Sequence, residues 1–375
     1  NLDEFYYQIG IRSHGKGVFH KEPISGKEIG TKRIFWVEPD DFVVNIVFAW
    51  EGAVALVTEA ERGMCASHRF PTFVVDKTVG DPQYLLRYFQ SKNGNDQLKA
   101  LSPGGAGRNK TLTQSDFLKL KIPFPPLPEQ RAIAAILSTW DEAITLTTRL
   151  INALKRRKQA LMQLLLTGEV RFAEFDGDWE TLPLGEIANV KRGASPRPIN
   201  DPQWFSETGR AWVRIADINA SPTRFLNQAS QYLSSLGEAL RVKVEVGDLI
   251  LSIAATIGVP KIVSIPACIH DGFVLITGYS NTTNRDFLYH YLSMLTSLLA
   301  SGGQPGTQKN INSGLVREIE IPTLDIPEQQ KIADVLTIAD EEILYWSSIV
   351  ENLITQKRGL MQQLLTGAVR VQVGD

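Results

Sequence analysis

Two short polar runs, each next to a glycine-rich stretch, carry side chains that could contact nucleic acid. Lysine and arginine bind phosphates, and asparagine and glutamine amides can read adenine edges in the major groove. Taken alone, each run is an ordinary solvated loop, but the pattern occurs at equivalent positions in both halves of the chain. We therefore interpret both as DNA contacts. The runs are Arg108-Asn109-Lys110 and Gln308-Lys309-Asn310.

Further basic residues lie in loops beside glycines, where the backbone can approach a polyanion closely. Residues 186–243 include eight basic and five acidic residues, a local charge of +3 in a chain whose net charge is −2. Any DNA-binding surface must therefore be local. The remaining predicted DNA-binding residues are Arg12, His14, Lys16, Lys32, Arg33, Arg192, Arg197 and Arg214.

Motifs for catalysis or metal binding are missing from the sequence. It has no P-loop, no His-Glu-x-x-His, no Gly-x-Ser-x-Gly and no Asn/Asp-Pro-Pro-Tyr loop of an amino-methyltransferase. The five histidines are scattered, and Cys65 and Cys268 are too few for a zinc site or a disulfide framework. We expect no catalytic residues, no metal, no cofactor bound directly, and two core cysteines in a reducing cytoplasm.

A repeated segment dominates the organisation of the chain. The 44 residues that begin at Pro128 return at Pro327, with 20 identities and no gap. Apolar residues recur in steps of four and three, which is typical of a coiled-coil seam. Proline near the start and Gly168 or Gly367 at the end predict two helices, each about 58 Å long at 1.5 Å per residue.

The seam predicts which residues join the two helices or a partner subunit. Lys158 and Lys357 interrupt it at equivalent positions, either to fix the register or to snorkel at its edge. At some seam positions one copy has a large residue where the other has a small one, and we take this as favouring an antiparallel helix pair over a parallel one. The predicted interface residues are Trp140, Ile144, Ile151, Leu154, Lys158, Leu161, Ile343, Trp346, Val350, Leu353, Lys357 and Leu360.

The segments before the two helices follow a common plan of short strands, a helical run, a glycine-rich loop and a Pro-bounded strand. WVEPDDFVVN corresponds to VEVGDLILS, and YLLRYFQS to FLYHYLSML. The opening of the second segment, WETLPLGEIANVKRGASPRP, has no counterpart before Asn1. We expect the first segment either to lack its original start or to be completed by another piece of protein.

These motifs together resemble the specificity (S) subunits of type I restriction-modification systems. The resemblance covers almost the whole chain. It rests on IPFPPLPEQ and IPTLDIPEQ before the helices, on LMQLLLTG and LMQQLLTG at their ends, and on WETLPLGEIANVKRGASP and GDLILSIAATIGVPKIV in the second globular segment.

The resemblance implies an α+β fold with two target-recognition domains, of mixed α/β structure, separated by two long helices in an antiparallel coiled coil with pseudo-two-fold symmetry. It implies a non-catalytic prokaryotic subunit that reads a bipartite double-stranded DNA site. Partners would be two modification subunits, which carry S-adenosylmethionine and methylate adenine N6, and restriction subunits that use ATP and Mg, whose presence is open. The predicted domains are 1–126 (first recognition domain), 127–170 (first conserved helix), 171–325 (second recognition domain) and 326–375 (second helix and tail).

Two alternatives stay open at this point. The chain could be the specificity module of another restriction-methylation enzyme architecture, with a fused or adjacent catalytic partner. It could also be a coiled-coil scaffold whose globular segments bind proteins instead of DNA. A scaffold would show no salt-dependent DNA affinity, whereas contacts to phosphates make DNA binding fall steeply with salt.

Overall fold

The computed structural model describes residues 1–102, 111–239, 241–301 and 311–373. The chain divides into two compact units. The first combines Asn1–Thr148 with Ser348–Asp375, and the second is the continuous stretch Arg149–Ser347. Each long helix therefore contributes its N-terminal half to one unit and its C-terminal half to the other.

Short strands and helices precede the long helix in the first unit. The strands are β1 (Phe5–Tyr6), β2 (Ile9–Ile11), β3 (Val18–His20), β4 (Ile24–Ser25), β5 (Ile34–Trp36), β6 (Phe42–Val44), β7 (Val54–Leu56), β8 (Cys65–Ser67) and β9 (Thr72–Phe73). The helices are α1 (Gly26–Ile29), α2 (Pro82–Gln90), α3 (Lys92–Ala100), α4 (Gln114–Leu118) and the long α5 (Leu127–Leu166). The strands pair as β7-β6-β9, β1-β4, β2-β3 and β5-β8.

Two five-stranded sheets form the globular part of the second unit. Its strands are β10 (Glu180–Pro183), β11 (Asn189–Arg192), β12 (Phe205–Ser206), β13 (Arg210–Val213), β14 (Phe225–Leu226), β15 (Gln231–Leu233), β16 (Lys243–Val244), β17 (Leu249–Ser252), β18 (Pro260–Val263), β19 (Ala267–Ile269), β20 (Phe273–Thr277) and β21 (Glu320–Thr323). Its helices are α6 (Leu184–Ile187), α7 (Ile215–Ala220), α8 (Ser235–Glu238), α9 (Arg285–Ser301), α10 (Ser313–Arg317) and the long α11 (Ile326–Leu365). The sheet orders are β11-β20-β17-β18-β14 and β12-β15-β13-β19-β16, and β10 pairs separately with β21.

The two units share a three-stranded arrangement. β6 pairs antiparallel with β7 and β9, and β17 pairs in the same way with β18 and β20. The turn into each central strand is also the same. The carboxylate of Asp41 accepts a hydrogen bond from the backbone N–H of Glu38 (3.0 Å), and that of Asp248 accepts one from Glu245 (2.8 Å). The predicted correspondence between the runs WVEPDDFVVN and VEVGDLILS is confirmed.

The Pro-bounded strand predicted at the end of each globular segment forms in one unit only. β21 pairs with β10 from Glu180↔Thr323 to Pro183↔Glu320. The corresponding run 121–124 belongs to none of the strands in the described chain. The prediction of a strand there is wrong, because a strand needs a neighbour for its backbone groups and the described part of the first unit offers no equivalent of β10.

The core of each unit combines its globular part with pieces of both long helices. Burial of one large aliphatic side chain stabilises a fold by about 1.5–3 kcal/mol, so the buried residues of the two helix halves contribute substantially to the stability of each unit. In the first unit the buried cluster includes Phe42, Tyr84, Ile133, Leu137, Met361 and Leu364. In the second, a corresponding cluster includes Leu165, Leu166, Phe287, Leu324, Ile332 and Leu336. The cysteines Cys65 and Cys268 are both buried, as predicted.

Ion pairs show that the helix halves of the first unit run antiparallel. Near the start of α5, the Glu129 carboxylate accepts from Nε (2.7 Å) and Nη2 (2.5 Å) of Arg370, which follows the end of α11. Further along α5, Asp141 binds the Nζ of Lys357 at 2.5 Å. Residue numbers rise on one helix as they fall on the other, as the antiparallel hypothesis predicts.

The second unit repeats these ion pairs with the helices exchanged. Glu328, at the start of α11, accepts from Nε (2.9 Å) and Nη2 (2.8 Å) of Arg171. Asp340 binds the Nζ of Lys158 at 2.6 Å. Both lysine side chains are only 16% exposed, so they pair with the facing helix instead of snorkelling to solvent. This favours the register-setting interpretation, while a coiled-coil repeat along the whole helices stays a prediction.

A glutamine at the start of each long helix ties that helix to its globular part. Gln130 donates from Nε2 to the carbonyls of Pro125 (2.8 Å) and Val79 (3.1 Å), and its Oε1 accepts from the backbone N–H of Asp81 (2.9 Å). Gln329 makes the equivalent three bonds in the second unit. Each long helix is thus anchored at a fixed point.

Candidate nucleic-acid interface

Three predicted DNA-binding arginines of the second unit lie around the loop at Asp271. Arg192 donates from Nε to the backbone oxygen of Asp271 (3.0 Å), and Arg197 donates from Nη2 to its Oδ2 (3.0 Å). Arg214 acts electrostatically on the adjacent His270. All three arginines are exposed, so their charges remain available to an incoming phosphate.

The local sequence explains how these side chains converge. β11 ends at Arg192 and pairs with β20, which places the following loop against the turn between β19 and β20. Gly193 is required there, because a Cβ would lie 2.1 Å from the backbone oxygen of His270. Ser195 then donates from Oγ to Oδ1 of Asp271 (2.6 Å), which fixes the loop that carries Arg197.

Burial and neighbouring charges shift the pKa values of His270 and Asp271. Burial lowers the pKa of His270; Asp271 opposes that shift, whereas Arg214, Arg197 and Arg192 add to it. Its Nδ1 accepts from the backbone N–H of Gly272 (2.9 Å), so the neutral ring carries its proton on Nε2, which lies 3.1 Å from Oδ1 of Asp271. Burial alone would raise the pKa of Asp271, but the Ser195 hydrogen bond and the nearby positive charges lower it overall.

A cavity of about 370 Å³ adjoins the cluster and includes Arg214 and Gln231 in its lining. Arg214 donates from Nη1 to Oε1 of Gln231 (3.2 Å). Trp212 forms another part of the lining and packs edge-on against His270, with ring centroids 6.0 Å apart. A guanidinium and an amide beside aromatic surface are suitable groups for contacting a base edge.

Other basic residues of the stretch 186–243 serve the fold instead. Arg210 binds the carbonyl of Val244 (3.0 Å) and the carboxylate of Glu245 (2.8 Å). Arg224 donates to Oγ1 of Thr337 on α11 (2.9 Å). Fewer basic side chains of this stretch are therefore free to face DNA than its local charge of +3 suggests.

In the first unit, the predicted residues Arg12, His14 and Lys16 lie in the β2–β3 hairpin loop. Arg12 donates from Nη1 to the carbonyl of Val18 (2.8 Å) and stacks on the Phe19 ring at 5.2 Å. His14 has a positive φ of 61°, and its backbone N–H binds the carbonyl of Glu51 (2.7 Å). All three side chains are exposed, so the loop presents the Arg12 and Lys16 charges and the His14 ring on a fixed backbone.

The other predicted residues of the first unit lie on a different element. Lys32 and Arg33 are exposed and directly precede β5. The carbonyl of Arg33 accepts from the backbone N–H of His68, just after β8 (3.3 Å). The structure thus places the hairpin residues and this pair on different elements.

The two polar runs that follow the glycine-rich stretches lie outside the described residues. They are Arg108, Asn109, Lys110, Gln308, Lys309 and Asn310. The described residues that follow them are anchored alike. The backbone N–H of Leu112 binds the carbonyl of Ile46 (2.9 Å), and that of Ile311 binds the carbonyl of Ile253 (3.0 Å).

The predicted helix-interface residues are all at least partly buried. Ile151 and Leu154 are buried, and Leu161 and Leu360 pack at the edges of the cores of their own units. The other half-buried members are Trp140, Ile144, Lys158, Ile343, Trp346, Val350, Leu353 and Lys357.

Among the described residues, no group of three or more histidine, cysteine, aspartate or glutamate side chains is arranged to hold a metal ion. Over the same part of the chain, no helix is both long and apolar enough to span a membrane.

Comparison with known proteins identifies the family. The family described as Type I restriction modification DNA specificity domain matches residues 40–156 and 176–346, most of the chain. The chain belongs to this family. It is 28% identical over 306 residues to a Methanocaldococcus jannaschii protein assigned as the type I restriction enzyme MjaX specificity subunit, covering 77% of this chain and 68% of that protein. It is 24% identical over 361 residues to the MjaVIII specificity subunit of the same organism, covering 88% and 81%.

A solved structure from a study of complex assembly in the type I R-M system has a similar fold. It covers 98% of this chain and 93% of its own, with a TM-score of 0.65 and 20% identity. The predicted fold class, with two globular parts of mixed helix and sheet, is confirmed. The protein is a DNA sequence-recognition subunit of the type I specificity family and a non-catalytic one.

Sequence reasoning about this specificity subunit missed several residues of the candidate interface. Asp271, His270 and Ser195 organise the arginines, yet none was predicted as part of a site. The one usable signal was the His-Asp-Gly turn directly after a buried strand. Gln231 and Trp212 carried no distinguishing pattern, because only the sheet pairing of β13 with β15 and β19 brings them together.

Proposed function

We propose that each unit reads one half of a bipartite double-stranded DNA site. The first recognition domain would comprise residues 1–126, and the second residues 171–325. The repeated β-sheet plan supports two related readers, and the different loops around it support two different half-sites. The helix segments 127–170 and 326–375 would set the spacing and hold the partner subunits.

In the second domain, Arg192, Arg197 and Arg214 would bind phosphates, and Gln231 would read a base edge. The observation that carries this assignment is the convergence of exposed arginines around Asp271, beside a cavity with an amide in its lining. The polar runs 108–110 and 308–310 would also contact DNA. Replacing Lys309 should weaken binding broadly, and replacing Gln308 or Asn310 should relax one half-site.

In the first domain, Arg12, His14 and Lys16 on the fixed hairpin loop would contact DNA, together with Lys32 and Arg33. The exposure of all five side chains and the positive charges of the four lysine and arginine residues support this role.

Partner subunits would supply the chemistry. Two modification subunits would bind along the helix pair, hold S-adenosylmethionine and methylate adenine N6, and restriction subunits with ATP and Mg would complete a nuclease form. The location would be the prokaryotic cytoplasm. The half-buried and exposed positions along α5 and α11 support a docking role for the helix pair.

Salt dependence of DNA binding tests the arginine assignment. Each phosphate contact contributes about 0.9 to the slope of log affinity against log salt concentration, so Ala at positions 192, 197 and 214 together should lower that slope by about 2.7. Lys243→Ala is the matched control, because its Nζ lies 2.8 Å from Glu238. The measurement is a fluorescence anisotropy titration of the assembled modification complex at several salt concentrations. An unchanged slope in the triple variant would remove these arginines from the interface.

Base reading is tested separately by methylation mapping. Single-molecule sequencing of cells with the intact gene should show one bipartite adenine-methylation motif, and deletion should remove it. Gln231→Ala should relax one half-site and leave the other unchanged. Relaxation of both half-sites, or of neither, would contradict the assignment of Gln231.

A further inference from the structure

A cavity of about 220 Å³ lies in the first unit where the start of α5 meets the end of α11. Its apolar walls come from Tyr84, Phe124 and Leu364, and its polar groups are the Glu129 carboxylate and the Arg370 guanidinium. Phe124 is 49% exposed, although it belongs to this apolar wall. The remaining lining residues are Pro123, Pro125 and Gly367.

The equivalent place in the second unit holds the side chain of Trp179. Its indole Nε1 donates to Oε2 of Glu328 (3.3 Å), and the Arg171 guanidinium lies 5.7 Å from the ring centroid. A Cβ at Gly168 would lie 3.4 Å from the ring, so this residue borders it closely. The ring also packs on the apolar cluster that contains Leu165.

The two places correspond residue by residue through the internal repeat. The repeat equates Glu129, Leu364, Gly367 and Arg370 of the first unit with Glu328, Leu165, Gly168 and Arg171 of the second. Tyr84 and Phe287 occupy equivalent positions on α2 and α9, and both are fully buried.

The polar groups of the cavity are arranged to receive an indole. Oε2 of Glu328 accepts from both Arg171 Nη2 and the Trp179 indole, which shows that this oxygen can serve two donors. Oε2 of Glu129 accepts from Arg370 Nη2 in the same way. The Arg370 hydrogen bond lowers the pKa of Glu129, so this acceptor is ionised near neutral pH.

The backbone beside the cavity points to the same occupant. In the second unit, β10 begins at Glu180, directly after Trp179, and pairs with β21. The first-unit equivalent of β21 is the run 121–124, which joins the wall of the cavity at Pro123. A segment that inserted a tryptophan here could therefore add a strand to this run, by the β-augmentation mode of peptide binding.

We propose that the first unit binds a tryptophan-bearing segment with the chemistry of Asp178–Ile187, supplied from outside residues 1–375. Its indole enters the cavity between Phe124 and Arg370 and donates to Glu129, and the residues after the tryptophan pair with the run 121–124. This binding site is independent of the DNA contacts proposed above.

A peptide with the sequence of Asp176–Ile187 tests the proposal. A fluorescein-labelled form, titrated with the full 375-residue chain and followed by fluorescence anisotropy, should bind. Replacing its tryptophan by alanine should weaken binding at least tenfold. Failure to bind, or equal affinity of the two peptides, would overturn the proposal.

Protein variants and cross-linking locate the binding. Phe124→Arg should reduce peptide affinity at least tenfold with thermal unfolding unchanged, and Val74→Arg, which changes an 86% exposed residue away from the cavity, should have less than a twofold effect. A photo-reactive benzoylphenylalanine in place of the tryptophan should form adducts within 123–129 or 364–370. Adducts elsewhere, or peptide binding that only displaces a second copy of the chain, would assign the cavity to another occupant.

Discussion

Lys158 and Lys357 occupy equivalent positions, but their replacement by methionine should have unequal effects on stability. In the first unit, Asp141 binds Lys357 and also Arg87, whose Nη1 lies 2.5 Å from Oδ2. In the second unit, the residue equivalent to Arg87 is His290, whose Nδ1 lies 4.0 Å from Oδ2 of Asp340. Burial first, and then the charges of Lys158 and Arg224, lower the pKa of His290 to about 3, so this ring is neutral in the parent protein, and burial continues to disfavour its charged form when Lys158 is replaced.

The magnitude follows from what each substitution leaves behind. Removing one partner of a fully buried ion pair costs about 3–5 kcal/mol. Asp340 is 24% exposed and would lose its only cationic partner among the ion pairs described, so Lys158→Met should cost about 2–3 kcal/mol after partial solvation. Asp141 is 38% exposed and keeps Arg87, so Lys357→Met should cost about 1 kcal/mol or less.

Urea denaturation followed by far-UV circular dichroism measures the total loss of stability. Native-state hydrogen exchange of each helix half then assigns the loss to one unit, because local opening free energies differ across a structure. Lys155→Met, an exposed position on the same helix, is the control and should stay within about 0.5 kcal/mol of the parent. Equal losses for the two seam lysines, or a larger loss for Lys357→Met, would refute the reasoning.

Three further outcomes are expected. The pKa of His290 is about 3 in the folded protein and 6.5 in its ordinary state, so the unfolded chain binds the extra proton and the free energy of unfolding should fall by about 2 kcal/mol between about pH 7.5 and pH 5. His290→Asn should remove this pH dependence in urea titrations. An unchanged pH profile in the variant would count against the assignment to His290. Gly193→Ala places a Cβ 2.1 Å from the backbone oxygen of His270 and should weaken DNA binding in anisotropy titrations. Gly359→Ala adds a Cβ in open space on α11 and should instead raise the free energy of unfolding by about 0.5–1 kcal/mol. Gln329→Leu leaves two carbonyls and one N–H without their partner and should lower the unfolding free energy by about 2–4 kcal/mol; a loss under about 1 kcal/mol would show that water replaces the amide.

Sequence reasoning succeeded where the determining interactions are local or repeated. The 3.5-residue period and the terminal glycines predicted both long helices, and Gly168 and Gly367 each have a φ of 75°. The antiparallel orientation inside each unit was also predicted, but Trp140 and its repeat equivalent Ala339 lie in different units, so the exchange of large and small residues between the copies did not determine it.

The rest depended on tertiary contacts that have no local signature. Residues 121–124 share the motif of β21 but lack a paired strand, because pairing depends on a distant segment. Similarly, Arg210 and Arg192 are indistinguishable as basic residues of one stretch, yet the first binds inside the sheet and the second reaches the Asp271 loop. Outward-facing and inward-facing cations can be separated only when strand register is known.

The discontinuous make-up of the first unit has a consequence for synthesis on the ribosome. Residues 149–347 form a continuous stretch and can complete their own unit as soon as they have emerged. The first unit is translated earlier, but its core includes Met361 and Leu364, and its Glu129 waits for Arg370. The unit whose translation begins earlier is therefore completed later, and a chain whose synthesis stops between residues 347 and 361 would lack part of the core of the first unit although it holds all of the second.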